Sequence, residues 1–131
     1  MARPRQQTPT PAELEVLKVL WDRGPCTVRE ILTEMTRDTV PAYTSVMSLL
    51  TVMTGKGLTR REPKGRAFLY SVARPRERTL GRLVGDLLSR AFEGSASAMV
   101  TQLLDQSKLS HDELNAIRRA IDEHADRGGA S

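Results

Sequence analysis

The chain has 131 residues, of which 27% are charged and 39% hydrophobic, a composition typical of a globular domain. No stretch approaches the ~18–20 apolar residues of a membrane helix, and the N-terminus lacks the apolar segment of a secretion signal. The single cysteine, Cys26, excludes an internal disulfide. We therefore expect a cytoplasmic protein with one domain, or with a ~70-residue module and an extension.

The formal net charge of +4 is concentrated in the N-terminal part of the chain. Residues 1–73 carry the whole excess of positive charge, whereas residues 74–131 are neutral. Segment 54–82 contains nine Lys or Arg residues and only two Glu. This density suits a surface that faces phosphate, but it also suits a solvated charged face, so charge alone does not decide between them.

Two short helices are predicted before residue 36. The first begins with a capping box formed by Thr10 and Glu13 and ends at Gly24-Pro25. The second begins with another capping box, formed by Thr27 and Glu30. The short link between them favours a helix–turn–helix arrangement.

A third helix is predicted from about Pro41 to Thr54, after a polar break at residues 37–39. Steps of about 100° per residue give this helix an apolar face and an opposite face of small hydroxyl side chains. The predicted apolar face consists of Tyr43, Val46, Leu49, Leu50 and Met53. The opposite face consists of Thr44, Ser48 and Thr51, with Ser45 and Val52 at one flank and Met47 at the other. Such a face can approach another surface closely and fits a DNA groove; the alternative is a weakly helical polar face.

After a glycine-rich break at residues 55–57, the apolar pattern changes to that of strands. Residues 58–62 and 67–72 are predicted to pair around a turn at residues 63–66. Three helices followed by a hairpin with a basic tip is the order of a winged helix–turn–helix, in which one helix enters the major groove. We therefore predict a mainly α fold with a small β-hairpin and a DNA-binding domain at residues 10–73. Its predicted DNA contacts are Thr44, Ser45, Met47, Ser48, Thr51, Arg60, Lys64 and Arg66.

Residues 74–126 are predicted to form a helical dimerisation region. Apolar stripes at helical spacing cover residues 80–92 and 96–104, and a third helix follows a capping box of Ser110 and Glu113. Because these helices are short and their stripes narrow, a second copy of the chain is the preferred packing partner, and the N-terminal module is the alternative. The predicted dimer contacts are Leu80, Leu83, Leu87, Leu103, Leu114, Ile117 and Ile121.

The sequence contains no set of residues typical of an enzyme or a metal site. His111 and His124 lack metal-ligand spacing to each other and to Cys26, whose thiol is predicted to be passive. Neither a catalytic triad, nor a nucleophile elbow, nor a phosphate-binding loop is found. We therefore predict that the protein is not an enzyme and needs no cofactor or metal.

Several segments resemble the penicillinase-repressor family, of the BlaI, MecI and CopY type. The matching segments are PAELEVLKVLW (11–21), TVREI (27–31), AYTSVMSLL (42–50), KGL (56–58) and GRAFLY (65–70). The resemblance extends from about residue 10 to 124 and is strongest through residue 72. It implies a bacterial, homodimeric transcriptional repressor that binds a pseudo-palindromic operator, with antibiotic-resistance genes of the β-lactamase type as possible targets.

The recognition helix departs from the family pattern at two positions. Val52 stands where many members carry Arg or another polar residue, and Met47 stands where some carry Arg. Base recognition would therefore depend on Thr44, Ser45 and Ser48, or on apolar contact with thymine methyl groups.

Two further departures concern the inducing signal. Staphylococcal members are cut at an Asn-Phe bond by a membrane-bound receptor protease, whereas this chain has Gln102-Leu103 at that place. This leaves open whether such a protease is a partner. The Cys-rich C-terminal motif of copper-responsive members is absent from the sequence, which excludes metal sensing by that route. A winged-helix adaptor for protein interactions, whose basic hairpin is only a solvated surface, is the alternative function.

Overall fold

The computed structural model describes residues 8–35 and 42–128, and in these it shows a mainly helical chain. The elements in order are α1 (Pro11–Arg23), α2 (Val28–Met35), α3 (Tyr43–Gly55), β1 (Thr59–Lys64), β2 (Ala67–Val72), α4 (Arg76–Ala91), α5 (Ala96–Gln106) and α6 (His111–Asp126). Three helices followed by an antiparallel hairpin form a winged helix–turn–helix, which confirms the predicted fold class. The predicted polar break at 37–39 and the predicted helix start at Pro41 lie outside the described residues.

The helices begin where side chains cap their first backbone N–H groups. At α1, the hydroxyl of Thr10 accepts from Glu13 N at 3.2 Å, and the Glu13 carboxylate accepts from Thr10 N at 2.9 Å. Thr27 and Glu30 form the same reciprocal pair at α2, at 3.3 and 2.9 Å. At α6, Ser110 accepts from the backbone N–H three residues further on, at 3.0 Å. These contacts confirm the predicted helix starts.

The first compact unit of the chain extends to Asp86 and encloses the hydrophobic core. Its buried hydrophobic residues are Val16, Leu17 and Leu20 of α1; Cys26 of the link between α1 and α2; Val28 and Ile31 of α2; Val46, Leu50 and Met53 of α3; Leu58, just before β1; and Tyr70 of β2. The predicted apolar face of α3 is wrong at Tyr43, which is 45% exposed. Tyr43 is the first residue of the helix, almost a full turn before the first buried position at Val46. Its ring lies 5.8 Å from the guanidinium of Arg29.

An ion pair joins the start of α1 to the end of α3. Lys56 Nζ lies 2.8 Å from Glu13 Oε1, the same oxygen that accepts from Thr10 N. The Glu13 side chain is only 3% exposed, whereas the Lys56 side chain is 26% exposed. The carboxylate that caps α1 is thus also the anchor for the residue that follows α3.

The hairpin is longer at its tip than the sequence indicates. β1 extends to Lys64, so that Pro63 lies within the strand opposite Phe68, and only Gly65 and Arg66 form the turn. Gly65 has φ +61°, as the first central residue of a two-residue type II′ turn requires. The sheet tolerates Pro63 because β1 is an edge strand. No strand lies on its other side, so the missing backbone N–H of proline costs no hydrogen bond there.

Cys26, in the link between α1 and α2, pairs with the second strand of the hairpin. Cys26 N donates to Tyr70 O at 2.9 Å, and Tyr70 N donates to Cys26 O at 2.7 Å. The Cys26 thiol is 1% exposed and lies 3.3 Å from the carbonyl oxygen of Gly24. Burial raises the pKa of this thiol, so it stays protonated near neutral pH.

Helix α4 begins in the first unit and ends in the second, which starts at Leu87. Thr79 is buried, and Leu80 lines a groove with Leu14 and Trp21 of α1. The first turns of α4 therefore pack in the first unit. In the second unit, neither α5 nor α6 has a fully buried residue within the described chain, and Val100, Leu103, Leu104 and Ile121 are exposed.

Candidate nucleic-acid interface

The outer side of α3 carries all five helix residues that the sequence predicts to contact DNA. Three buried side chains, Val46, Leu50 and Met53, hold the opposite side of the helix in the core. The exposed five are Thr44, Ser45, Met47, Ser48 and Thr51. The core therefore fixes the rotation of α3 and presents a strip of small polar side chains to solvent.

The hydroxyl groups on this strip differ in what they can still bind. Thr51 donates its hydroxyl hydrogen to the carbonyl oxygen of Met47 at 3.0 Å, which leaves it only as an acceptor. In the described part of the chain, no hydrogen bond involves the hydroxyls of Thr44, Ser45 or Ser48. These three can both donate to and accept from a ligand.

The N-terminus of α3 also lacks the side-chain cap seen at α1 and α2. Its N-cap residue is Ala42, which has no side-chain acceptor for the first backbone N–H groups. Such N–H groups, together with the positive end of the helix dipole, suit a phosphate oxygen. The start of α3 is thus able to position a DNA backbone as well as to approach base edges.

The hairpin of β1 and β2, which is the wing of the fold, brings two of its three predicted cations together. Lys64 ends β1 and Arg66 lies in the turn, and both are exposed at the tip of the hairpin. Arg60 is exposed but lies near the base of the hairpin, roughly 14 Å from Lys64 along the strand at ~3.4 Å per residue. Its guanidinium donates to Ala73 O at 3.4 Å. Lys64 and Arg66 therefore form the basic tip, and Arg60 belongs to the base of the wing.

Two further arginines stand at this surface that sequence reasoning did not assign to it. The guanidinium of Arg61 lies 4.2 Å from the centre of the Phe68 ring, on the opposite face of the hairpin from Lys64. Arg29 stacks on Tyr43 at the start of α3. The strand register, which only the fold supplies, places Arg61 and Phe68 diagonally on the same face of the hairpin. Both cations are held by an aromatic ring and remain exposed.

The carboxylate of Glu30, in the first turn of α2, lies near the basic tip of the wing. The backbone N–H of Thr27 lowers the pKa of Glu30, and the positive charges of Arg23 and Lys64 lower it further. Glu30 is therefore ionised at neutral pH, close enough to Lys64 for their charges to interact.

The second unit contains an apolar groove of about 340 Å³ between α5 and α6. Its lining residues are Val100, Leu103, Leu104, Ile117, Ala120, Ile121 and His124. Three of the predicted dimer contacts meet there, Leu103, Ile117 and Ile121, of which Leu103 and Ile121 are 52% and 58% exposed.

The other predicted dimer contacts are not in this groove. Leu114 is half-buried in α6, Leu83 is half-buried in α4, and Leu87 of α4 is exposed. Leu80 lines the groove that it shares with Leu14 and Trp21 of α1, in the first unit. Gln102-Leu103, at the place where staphylococcal members are cut, is inside α5.

Over residues 8–35 and 42–128, none of the helices has the length and apolar character needed to cross a membrane.

Comparison with known proteins identifies the family. The penicillinase repressor family matches residues 9–123. A penicillinase repressor of Bacillus licheniformis is 26% identical over 116 residues, covering 88% of this chain and 91% of that protein. The transcriptional regulator BlaI of Mycobacterium tuberculosis is 31% identical over 113 residues, covering 85% of this chain and 80% of the relative.

A crystal structure of M. tuberculosis Rv0081 is also similar, with 25% identity and a TM-score of 0.47, covering 64% of this chain and 80% of that one. The chain belongs to the penicillinase repressor family, a family of transcriptional repressors and not of enzymes.

Proposed function

We propose that this protein is a homodimeric repressor that binds a pseudo-palindromic operator through α3 and the wing. The observation that carries the proposal is the exposed hydroxyl strip of α3, in the same compact unit as the basic tip formed by Lys64 and Arg66. A helix surface of this kind fits the major groove, and cations beside it bind the phosphates that flank that groove.

The residues divide into those that contact bases and those that contact the backbone. Ser45 and Ser48 are placed for base edges, because their hydroxyls are free and they lie in the first two turns of α3. Thr44, nearest the uncapped helix start, is placed for phosphate. Lys64 and Arg66 bind phosphate from the wing, which positions the protein without identifying sequence.

A second copy of the chain is the proposed occupant of the groove between α5 and α6. This groove exposes Leu103 and Ile121 in one continuous apolar surface, which is the character of an obligate interface. A twofold axis would present two α3 helices to half-sites about one helical turn, or a multiple of it, apart. The dimerisation region at residues 74–126 is part of this proposal.

The genes proposed as targets are resistance genes of the β-lactamase type, because the B. licheniformis relative is named a penicillinase repressor. Release of repression by proteolysis would require a change in α5. A receptor protease could reach the peptide bond at Gln102-Leu103 only after α5 unwinds, because that bond lies within the helix.

The dependence of DNA binding on salt tests the proposal. We expect fluorescence anisotropy with labelled duplex DNA to show an affinity that falls by several orders of magnitude between about 50 and 200 mM salt, as for proteins that neutralise several phosphates. Fragments of the source genome enriched by binding should contain inverted repeats. Affinity that is weak at low salt and does not change with salt would instead favour a protein-interaction adaptor.

A further inference from the structure

We propose that α3 recognises its half-site mainly through thymine methyl groups, with Met47 and Val52 as the residues that determine specificity. The inference rests on the proposed function, since it concerns which bases the same helix prefers. It predicts an operator half-site in which C5 methyl groups set most of the base preference of α3, while the hydroxyls of Ser45 and Ser48 add hydrogen bonds to base edges that discriminate less between bases.

Helix α3 contains none of the side chains that discriminate most strongly between bases. Its sequence, YTSVMSLLTVMTG, has no Arg, Lys, Asn, Gln, Asp or Glu. In the major groove Arg and Lys distinguish guanine, Asn and Gln distinguish adenine, and Asp and Glu distinguish cytosine. Ser and Thr hydroxyls bond to several bases and discriminate poorly. The thymine methyl group is therefore the base-specific major-groove feature that the apolar side chains of this helix can recognise.

Helix α3 also exposes two apolar side chains beside its hydroxyl strip. Met47 is 37% exposed and Val52 is 52% exposed, although the core takes the other apolar residues of the helix from Val46 onward wholly or in part. A single exposed apolar residue needs no explanation, but these two border the strip that is proposed to enter DNA. Five residues apart, they lie about 140° apart around the helix, one on each side of Ser48. They would therefore contact different base pairs.

The hydrogen bond of Thr51 adds to the apolar character of this surface. Because its hydroxyl donates to the carbonyl oxygen of Met47, Thr51 has no hydrogen left to offer a base. Its remaining contribution is an acceptor and a γ-methyl group, and threonine methyls also contact thymine. Toward the middle of α3, the surface thus combines Met47, Thr51 and Val52 around the free hydroxyl of Ser48.

Replacement of thymine by uracil tests the inference, because it removes only the C5 methyl group. Duplexes bound by the full-length protein would be selected from a random-sequence library, and each thymine of the preferred sequence replaced singly by deoxyuridine. Titration at fixed salt should show a roughly 3- to 5-fold weaker Kd at one or more positions in each half-site, the change expected for one buried methyl.

Two variants assign the contacts. Met47→Ala should abolish the preference for thymine over uracil at one position of the half-site, and Val52→Ala should abolish it at a different position. Both side chains are exposed, so both variants should keep the thermal unfolding profile of the parent. Lys64→Ala is the matched control, because it should weaken binding to thymine and uracil duplexes equally and leave their ratio unchanged.

The outcomes separate this inference from the function on which it rests. Equal affinity for thymine and uracil duplexes at every position, with salt-dependent and sequence-specific binding preserved, overturns the inference and leaves the repressor proposal standing. A thymine preference that survives in both alanine variants overturns the assignment to Met47 and Val52. Failure of the library to yield any preferred sequence overturns the proposed function itself.

Discussion

Removal of Lys56 should destabilise the first unit far more than removal of an ordinary surface lysine. The substitution Lys56→Met keeps much of the aliphatic side chain but leaves the nearly buried carboxylate of Glu13 with Thr10 N as its remaining hydrogen-bond donor. Leaving one charge of a fully buried pair unpaired costs about 3–5 kcal/mol, whereas an exposed pair contributes about 0.2–1 kcal/mol. Because Lys56 is 26% exposed and the Thr10 bond remains, we expect an intermediate loss of about 2 kcal/mol in unfolding free energy.

Urea unfolding followed by the fluorescence of Trp21 measures this loss directly. Trp21 is the only tryptophan and lies in the first unit, so its signal reports the unit that contains the pair. Lys18→Met is the matched control: its partner Glu15 is 3.4 Å away, both side chains are more than half exposed, and the expected loss is below about 0.5 kcal/mol.

A double variant tests the reasoning behind the magnitude. Glu13→Gln combined with Lys56→Met retains an acceptor for Thr10 N and leaves no uncompensated charge. It should therefore be more stable than Lys56→Met alone. If Lys56→Met costs no more than Lys18→Met, the pair is equivalent to a surface ion pair. If the double variant is the least stable of all, the penalty does not come from an unpaired carboxylate.

Four other predictions follow from the interface, the groove and the buried thiol. Lys64→Ala with Arg66→Ala should weaken binding to specific and random DNA alike and reduce the salt slope in anisotropy titrations by about 1–2; a loss at one base position would contradict a phosphate role. Ser48→Ala should cost about 1 kcal/mol on the preferred duplex and little on random DNA, and equal losses would make it a positioning residue. Ile121→Glu should turn a dimer into a monomer in sedimentation at micromolar concentration while helical circular dichroism persists; a parent protein that already sediments as a monomer would refute the groove as a dimer contact. Because the Cys26 thiol is buried and its pKa is raised, Cys26 should react with iodoacetamide at pH 8 only when urea unfolds the protein, and rapid alkylation of the folded chain would show that the thiol is accessible.

The parts of the fold that the sequence predicts are those determined by neighbouring residues. The capping pairs of Thr10 with Glu13 and of Thr27 with Glu30 join residues three apart, so the motif itself contains both partners. The hairpin follows similarly, because Gly65 lies between two strand-like segments. The sequence pattern does not predict that β1 continues to Lys64. Pro63 usually indicates a turn, and proline is tolerated in a strand only at an edge.

The candidate interface is predictable in its outline and not in its detail. Helical periodicity places Ser45 and Ser48 outside because the buried residues of α3 repeat regularly. The stacking of Arg29 on Tyr43 joins two separate helices, and no local pattern contains both residues. The position of Leu80 beside Trp21 is also a long-range packing result, since an apolar stripe shows which side of a helix is buried but not which partner covers it.

The pairing of Cys26 with Tyr70 constrains the order in which the first unit can acquire its structure. Its two hydrogen bonds close a loop of roughly 40 residues, and that closure costs chain entropy which only the completed core recovers. Helices as short as α1 and α2 are marginal without tertiary packing. A growing chain therefore gains little protection from exchange or proteolysis until β2 is available to pair with Cys26.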